Sequence, residues 1–557
     1  MSTDRTKISW NGWGWAAHKD DVAGNEAAWT WMAEQLGMPS LLATPARLLE
    51  DIALAPSRLD AVQRAHFAQI LGEDRVREDP FERAFHARGR SYHDLLHLRA
   101  GNLTTAPDAV LYPRGTEEVL SVLSFASDNR IAVIPYGGGT SVVGSVTADA
   151  GPFKAAVSLD MSGMDRLIGV DAVSRTATAE AGIYGPALDK ALRAQNLVLG
   201  HYPQSFEFST LGGWIAHRGA GQQSSRYGRA NDWLVSAKLA TPRGLLTTED
   251  FPGSSAGPRL TDLVLGSEGV FGVITEATVH VRPAPETSLY TGYLFHDFAS
   301  GAAAIRHAVQ EELPVAMLRL SDAEETRFYR AYGAAGKRKS LGSRIQDAYL
   351  DYRKFGESAS AMVAGFEGDR TTVERSRRRF GEIARQFGAM SIGDGTGKRW
   401  HHGRFHGPYL REPLMDRGLG VDTLETATSW TKMDALYAAV KKALEDTIRE
   451  TAPRPGAHGI VACHISHSYP DGASLYFTYI FPRALDGDVA QWLAIKRAAT
   501  DAIVAHGGTL SHHHGVGEDH LPWMKQEKGE LGIDVLRAIK MALDPKGVLN
   551  PGKLIPT

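Results

Sequence analysis

Apolar and polar positions change their spacing several times along the chain, and each change marks an element. Residues 1–105 read as mostly helical, with tryptophans gathered in Trp10-Asn11-Gly12-Trp13-Gly14-Trp15. Near Pro107 the pattern shifts. Val119, Leu120, Val122, Leu123 and Ala126 recur at helical spacing over 117–130, and the apolar run 131–135 then reads as a strand stopped by Pro135 and three glycines. Further β segments are predicted at 155–159 and 176–181, a helix at 186–195, and alternating β-structure from 234 to 282. Residues 106–283 thus form an α+β unit with glycine-rich turns at its strand ends.

Prolines at 283 and 285 mark a boundary. Beyond it a second α+β unit, 284–505, starts with a strand over 287–295 and contains an amphipathic helix over 434–449. Leu436, Val440, Leu444 and Ile448 form one apolar stripe on that helix. Residues 474–481 alternate by two, so Leu475, Phe477 and Tyr479 face one way while Tyr476 and Thr478 face the other. A C-terminal segment, 506–557, completes the chain. No internal repeat and no low-complexity tract interrupts it. The fold class is α+β.

Composition narrows the picture. A chain of 557 residues exceeds a single core. Lys+Arg 61 against Asp+Glu 64 leaves a net charge of -3, which offers no basic face for nucleic acid. The lone cysteine, Cys463, excludes an internal disulfide and a cysteine-ligated cluster. No apolar run spans a bilayer, residues 1–15 lack a secretory pattern, and Leu554-Ile555-Pro556-Thr557 is not a peroxisomal signal. The expected location is cytoplasmic, with peripheral membrane contact left open. Arg375-Ser376-Arg377-Arg378-Arg379 and Lys337-Arg338-Lys339 are candidates for anionic lipid heads, set against solvated surfaces.

Candidate chemistry begins at Pro135-Tyr136-Gly137-Gly138-Gly139-Thr140-Ser141. Consecutive glycines let backbone N–H groups approach an anion closely, and a pyrophosphate suits them. The spacing is neither a Rossmann turn nor a Walker loop. Gln204-Ser205-Phe206-Glu207-Phe208-Ser209-Thr210 and Gly213 follow, then His217-Arg218-Gly219-Ala220, then Glu268-Gly269-Val270-Phe271-Gly272-Val273-Ile274. Each could be a bulge or a turn. Three such loops in one unit favour a cofactor.

These motifs, with Thr241-Pro242-Arg243-Gly244, resemble the vanillyl-alcohol-oxidase type of FAD domain. With Trp10-Asn11-Gly12-Trp13-Gly14 upstream and Ser511-His512-His513-His514-Gly515-Val516-Gly517 downstream, the chain resembles the alkyldihydroxyacetonephosphate synthases over residues 8–552. The resemblance implies a two-lobed FAD-binding domain of the PCMH type with an α+β cap, noncovalent FAD, a lipid substrate and a homodimer. It also implies a reaction. Acyl-dihydroxyacetonephosphate and a long-chain alcohol give an ether and a fatty acid without net redox, flavin N5 holding the headgroup meanwhile. The alternatives are an FAD-dependent dehydrogenase or oxidase of a 2-hydroxy acid such as lactate or glycolate, and a flavin- or lipid-binding protein with a vestigial site.

By the same resemblance Tyr476 accepts or donates a proton, Arg411 binds substrate phosphate, and Arg319 and the histidine motif are required. Physically, a phenol at its reference pKa is a poor base, and a guanidinium fork suits a phosphate. Arg319 lies between leucines, so an ion pair with a neighbouring carboxylate is an equal reading. Adjacent histidines in an extended segment point apart, so only His512 and His514 can converge. With no Cys or carboxylate at ligand spacing, no metal site is expected. Two departures bear on the substrate: Cys463-His464-Ile465-Ser466-His467 stands where the synthases carry Cys-Arg-Val-Thr-Gln, and His201-Tyr202-Pro203-Gln204 where they carry His-Glu-Pro-Asp.

Overall fold

The apolar repeat after Pro107 folds as the helix Thr116–Asn129, with Val119, Val122, Leu123 and Ala126 fully buried. The computed structural model describes residues 4–18, 24–334, 350, 352, 353 and 355–556. Lys337-Arg338-Lys339 lies outside the described residues.

The helix packs beside a small sheet of order β1-β2-β4-β3, formed by β1 (Val76–Arg77), β2 (Ala109–Leu111), β3 (Ala132–Tyr136) and β4 (Ala156–Asp160). β2, β4 and β3 run parallel, and β1 pairs antiparallel with β2. A second, antiparallel sheet comprises β5 (Leu167–Asp171), β6 (Thr176–Glu180), β8 (Leu234–Thr241), β9 (Gly244–Thr247) and β10 (Val273–His280), ordered β5-β6-β10-β8-β9. Between β6 and β8 lies β7 (Leu197–Val198), which forms a two-stranded ribbon with β11 (Arg282–Pro283). These two sheets are the lobes of the N-terminal α+β unit.

A third sheet of seven strands caps them. Its members are β12 (Thr287–Phe295), β13 (Met317–Ser321), β14 (Ser360–Gly368), β15 (Met390–Gly393), β16 (Leu419–Ser429), β17 (Ile460–Ser468) and β18 (Gly472–Pro482), ordered β15-β12-β14-β13-β17-β18-β16. One face is covered by helices. The predicted stripe lies on the helix Met433–Glu450, where Leu436, Val440, Leu444 and Ile448 are all fully buried. They join Leu475, Phe477 and Tyr479 of β18 in the largest apolar cluster. Replacing Leu444 by Ala removes a fully buried side chain from this cluster, so unfolding free energy should drop by about 2–5 kcal/mol, read from denaturant melts.

The opposite face of this sheet is turned toward the lobes, and β18 follows its predicted alternation. Tyr476 and Thr478 emerge on that second face.

The N-terminal region is less helical than its composition suggests. Helices Glu26–Gln35, Ala61–Leu71, Pro80–Phe85 and Tyr92–Ala100 are separated by irregular chain, and β1 joins the first sheet. Those stretches satisfy their backbone through tertiary partners: Leu42 and Thr44 donate to the carbonyls of Arg417 and Asp416. Likewise the alternating block 234–282 is interrupted by the helix Thr261–Val264. The C-terminal segment returns to the first sheet, Leu549 bridging Val133, while Asn550 Nδ2 donates to the carbonyls of Ser145 and Glu268. Among the described residues no helix is long and apolar enough to cross a membrane. On the helix Arg370–Gln386, Arg377 pairs with Asp394 and Arg379 with Glu311 and Glu382. Two arginines of the basic cluster are thus engaged in ion pairs.

Candidate active site

β3 ends at Tyr136, and the glycine turn that follows crosses close beneath residues 208–210. A Cβ on Gly138 would fall 1.7 Å from the carbonyl oxygen of Phe208, and Gly139 holds φ +69°. Only glycine fits both positions. The amides of Gly138, Gly139, Thr140 and Ser141 donate to no protein acceptor among the described residues. Four successive free donors on a cleft wall are a cradle for an anion. From outside, Arg5 fastens the turn: its Nη2 donates to the Gly137 carbonyl at 2.6 Å, and its guanidinium is ion-paired to buried Asp160.

The cleft lined by this turn is continuous. One part is walled by Pro135, Tyr136, Gly137, Thr210, Gly213, Glu268, Gly269, Gly272, Val273 and Ile274. The next is walled by Gly137 to Ser141, Gln204, Ser205, Ser209, Thr210, Gly213, His217, Gly219 and Ala220. Both share Gly137, Thr210, Gly213 and His217. Buried polar atoms without partners face it, among them Trp13 Nε1 and His217 Nε2. The free amides, the elongated cleft and these unpaired polar atoms, a donor at Trp13 and an acceptor at His217, fit a dinucleotide such as FAD. Other named residues support the walls from behind. Phe208 packs on Trp13 and Trp15, and Phe206 on Tyr202 and Phe405. Val270 and Phe271 sit in the lobe's core, Arg218 pairs with Asp262 at the surface, and Glu207 lines none of these walls. Trp13, Val146, His201, Trp214 and Pro408, none of them an expected cofactor contact, also line the cleft. Trp13 carries a sequence signal, since it lies in the aromatic motif at 10–15.

Beyond the cleft a chamber opens against the cap sheet, with about 1270 Å³ of space counting its solvent-open mouth. Strand register builds its polar floor. Tyr476 of β18 pairs with Glu425 of β16 on one side and with His464 of β17 on the other, and Ser321 of β13 pairs with His464. Paired residues share a face, so Arg319, His464, Tyr476 and Glu425 all point toward the lobes. The rest of the chamber is greasy, with Met317, Phe328, Leu410, Val421, Ile460, Ala462 and Ile480. Cleft and chamber meet where Pro203, Gln204, Ala220, Pro408, Arg411, Tyr476, His513 and His514 line both.

Tyr476 is stacked on His464 at 4.8 Å and meets His514 edge-on at 5.5 Å. Burial pushes its phenol upward, outweighing the hydrogen bond with Thr423 and the nearby Arg411. The hydroxyl therefore stays protonated at neutral pH and is a proton donor in the resting site, not a phenolate. Arg411 is buried, and its Nη1 donates to the Arg90 carbonyl at 2.6 Å. Arg319 lines the chamber and is ion-paired to Glu325 at 2.9 Å, the pairing with a neighbouring carboxylate that its flanking leucines suggested. Its Nη1 also lies 2.7 Å from His464 Nε2. Where the family pattern has an arginine at 464, this chain has an imidazole with a guanidinium laid beside it from the next strand. Burial, then that guanidinium, hold His464 below the ordinary histidine range.

The histidine motif departs from expectation. Residues 511–514 are not an extended strand, so alternation does not apply. The adjacent pair His512 and His513 converges instead: their Nδ1 atoms are 3.2 Å apart, beside Glu425. The prediction that no carboxylate accompanies the histidines thus fails, because Glu425 arrives from a strand far upstream. His467 stacks on His512 at 4.9 Å, and ligand atoms of Glu425, His467, His512 and His513 lie within 4.8 Å of one another. Burial brings His512 down to about 4 and His201, which also feels His513, down to about 3. His512 faces neither cavity; His513 and His514 face both.

Comparison with known proteins follows this geometry. The family described as FAD binding domain matches residues 107–249, and the one described as FAD linked oxidases, C-terminal domain, matches 284–554. The chain is therefore an FAD-binding flavoprotein with a cap. An alkyldihydroxyacetonephosphate synthase of Dictyostelium discoideum is 34% identical over 99% of this chain and 94% of its own. A solved alkyldihydroxyacetonephosphate synthase structure superimposes with a TM-score of 0.83 at 32% identity, covering 99% of each chain. This chain belongs to the alkyldihydroxyacetonephosphate synthase family. A glycolate oxidase subunit of Bacillus subtilis is more distant, at 25% identity over 80% of this chain and 89% of its own.

Proposed function

We propose that the enzyme exchanges the acyl group of acyl-dihydroxyacetonephosphate for a long-chain alcohol, releasing a fatty acid and an ether-lipid precursor. One observation carries this reading: a guanidinium, a protonated phenol and two imidazoles converge where a dinucleotide cleft meets an apolar chamber. Gly137 to Ser141, Thr210 and His217 would hold FAD, which when bound supplies an electron-deficient ring able to take an electron pair and return it within one turnover. Arg411 clamps the substrate phosphate, since a fixed fork matches two phosphate oxygens. Tyr476 gives a proton to the departing carboxylate, and His514 orients the carbonyl. The apolar wall of Phe328, Val421, Ile460 and Ile480 takes the alkyl chain and keeps water from the reacting carbon.

A lactate or glycolate oxidase has no use for such a wall. The deciding measurement is an anaerobic titration of the yellow holoenzyme. Acyl-dihydroxyacetonephosphate with hexadecanol should give ether and free acid while the flavin spectrum stays oxidised over many turnovers. Bleaching by lactate or glycolate, with no ether formed, would overturn the assignment.

A further inference from the structure

Glu425 lies beneath His512 and His513, in contact with both rings. Its side chain is fully buried. Ser466 Oγ donates to Oε1 at 3.1 Å, and His512 Nδ1 lies 3.3 Å from the same oxygen. Oε2 is in direct contact with His513 Nδ1 and receives no other donor among the described residues.

A second chain of contacts reaches the other nitrogen of His512. Arg229 Nη1 donates to the Tyr469 hydroxyl at 3.4 Å, so that hydroxyl is free to donate onward to His512 Nε2, 2.6 Å away. With His512 Nε2 as acceptor its proton sits on Nδ1, which faces both Glu425 Oε1 at 3.3 Å and His513 Nδ1 at 3.2 Å. Arg229 Nη2 also grips the His512 carbonyl at 2.7 Å, which holds the loop in place. The ring of His512 is thus spoken for on both sides. Only His513 has one nitrogen on the carboxylate and its ring at the cavity wall.

We infer that Glu425 is a positioning residue for the proposed reaction: it holds His513 as the Nδ1–H tautomer, with the lone pair of Nε2 left for the substrate. The inference rests on the proposed function for its substrate but not for its geometry. In the ether-forming step the alcohol must lose its O–H proton. Nε2 of His513 receives it, the O–H electron pair stays on the alkoxide-like oxygen, and the arriving positive charge is neutralised by the carboxylate on Nδ1. This is the logic of a base oriented by a buried acid. Burial by itself would raise the Glu425 carboxyl; His513 and His512 outweigh it and hold it well below the usual carboxylate range, so the anion is present at working pH.

The test uses holoenzyme. Glu425→Gln keeps the side-chain shape but turns an N–H donor toward one imidazole. Its kcat should fall about 10²- to 10³-fold, the scale of a lost proton-transfer partner, with KM for acyl-dihydroxyacetonephosphate within about threefold, since Arg411 supplies the binding. Glu425→Asp, which keeps the charge, should recover part of the loss. Independently of any substrate, proton NMR of ¹⁵N-histidine-labelled wild type should show low-field ring N–H signals that vanish in Glu425→Gln. Absence of those signals from wild type, or full kcat in Glu425→Gln, overturns the inference. So does stoichiometric divalent metal in the purified wild type, because Glu425, His467, His512 and His513 would then be ligands. The resonances report the Glu425 contacts whatever the enzyme turns over, so a failed inference and a failed reaction assignment are told apart.

Discussion

Tyr476→Phe should lower kcat for alkyl transfer by about 10²- to 10⁴-fold, the span measured for a lost acid–base group, while FAD stays bound. That fall corresponds to roughly 3–5 kcal/mol of transition-state stabilisation. The substitution removes one oxygen and nothing else. The ring that stacks on His464 and meets His514 is preserved, as is the backbone pairing with Glu425 and His464. Flavin absorbance and the thermal midpoint should therefore match wild type. The direction of the phenol's shift adds a sign. Because burial raises it, the donating form persists from acid through neutral pH, so the Tyr476 hydroxyl should impose no loss of rate on the acid side. A variant that turns over at the wild-type rate would remove the phenol from the chemistry. A variant that loses flavin would place its role in structure.

Gly138→Ala should abolish cofactor retention. The new methyl would sit 1.7 Å from the Phe208 carbonyl oxygen and 2.8 Å from its carbon, both backbone atoms of the segment that forms the opposite wall. No rotamer relieves such a contact. Either the turn or residues 208–210 must shift, and the amides leave the geometry in which they can share a pyrophosphate. Overpacking costs about 1–3 kcal/mol or more, and each 1.4 kcal/mol withheld from binding weakens affinity about tenfold. The purified variant should be pale, with flavin occupancy by absorbance well under that of wild type and FAD affinity reduced at least about tenfold. Gly253→Ala is the control: a methyl there meets nothing within 4 Å, and both colour and activity should survive. A fully yellow Gly138→Ala would separate the glycine turn from the cofactor.

Local order was legible wherever one element's own period decides it. The stripe at Leu436, Val440, Leu444 and Ile448 could only be an amphipathic helix, and the alternation through β18 told Tyr476 from Leu475 because side chains on a strand must alternate. The glycine turn was legible for a similar reason, since a run without Cβ atoms announces an unusual backbone path. Where the alternation rule misled, at His512 and His513, the segment was not a strand at all, and its rings were turned by Glu425 rather than by period.

The sequence by itself determined which faces are buried, where the glycine turn lies, and that histidines, a tyrosine and arginines belong to one family of motifs. Only the tertiary structure decided which of them touch. Glu425 is remote in the chain from the hairpin that carries His464 and Tyr476, and the three become neighbours through the register of three strands, a quantity set by packing of whole faces rather than by any local pattern. Hydrophobic period is a property of each segment alone, whereas register, and with it the partner of every buried charge, exists only once the segments have met.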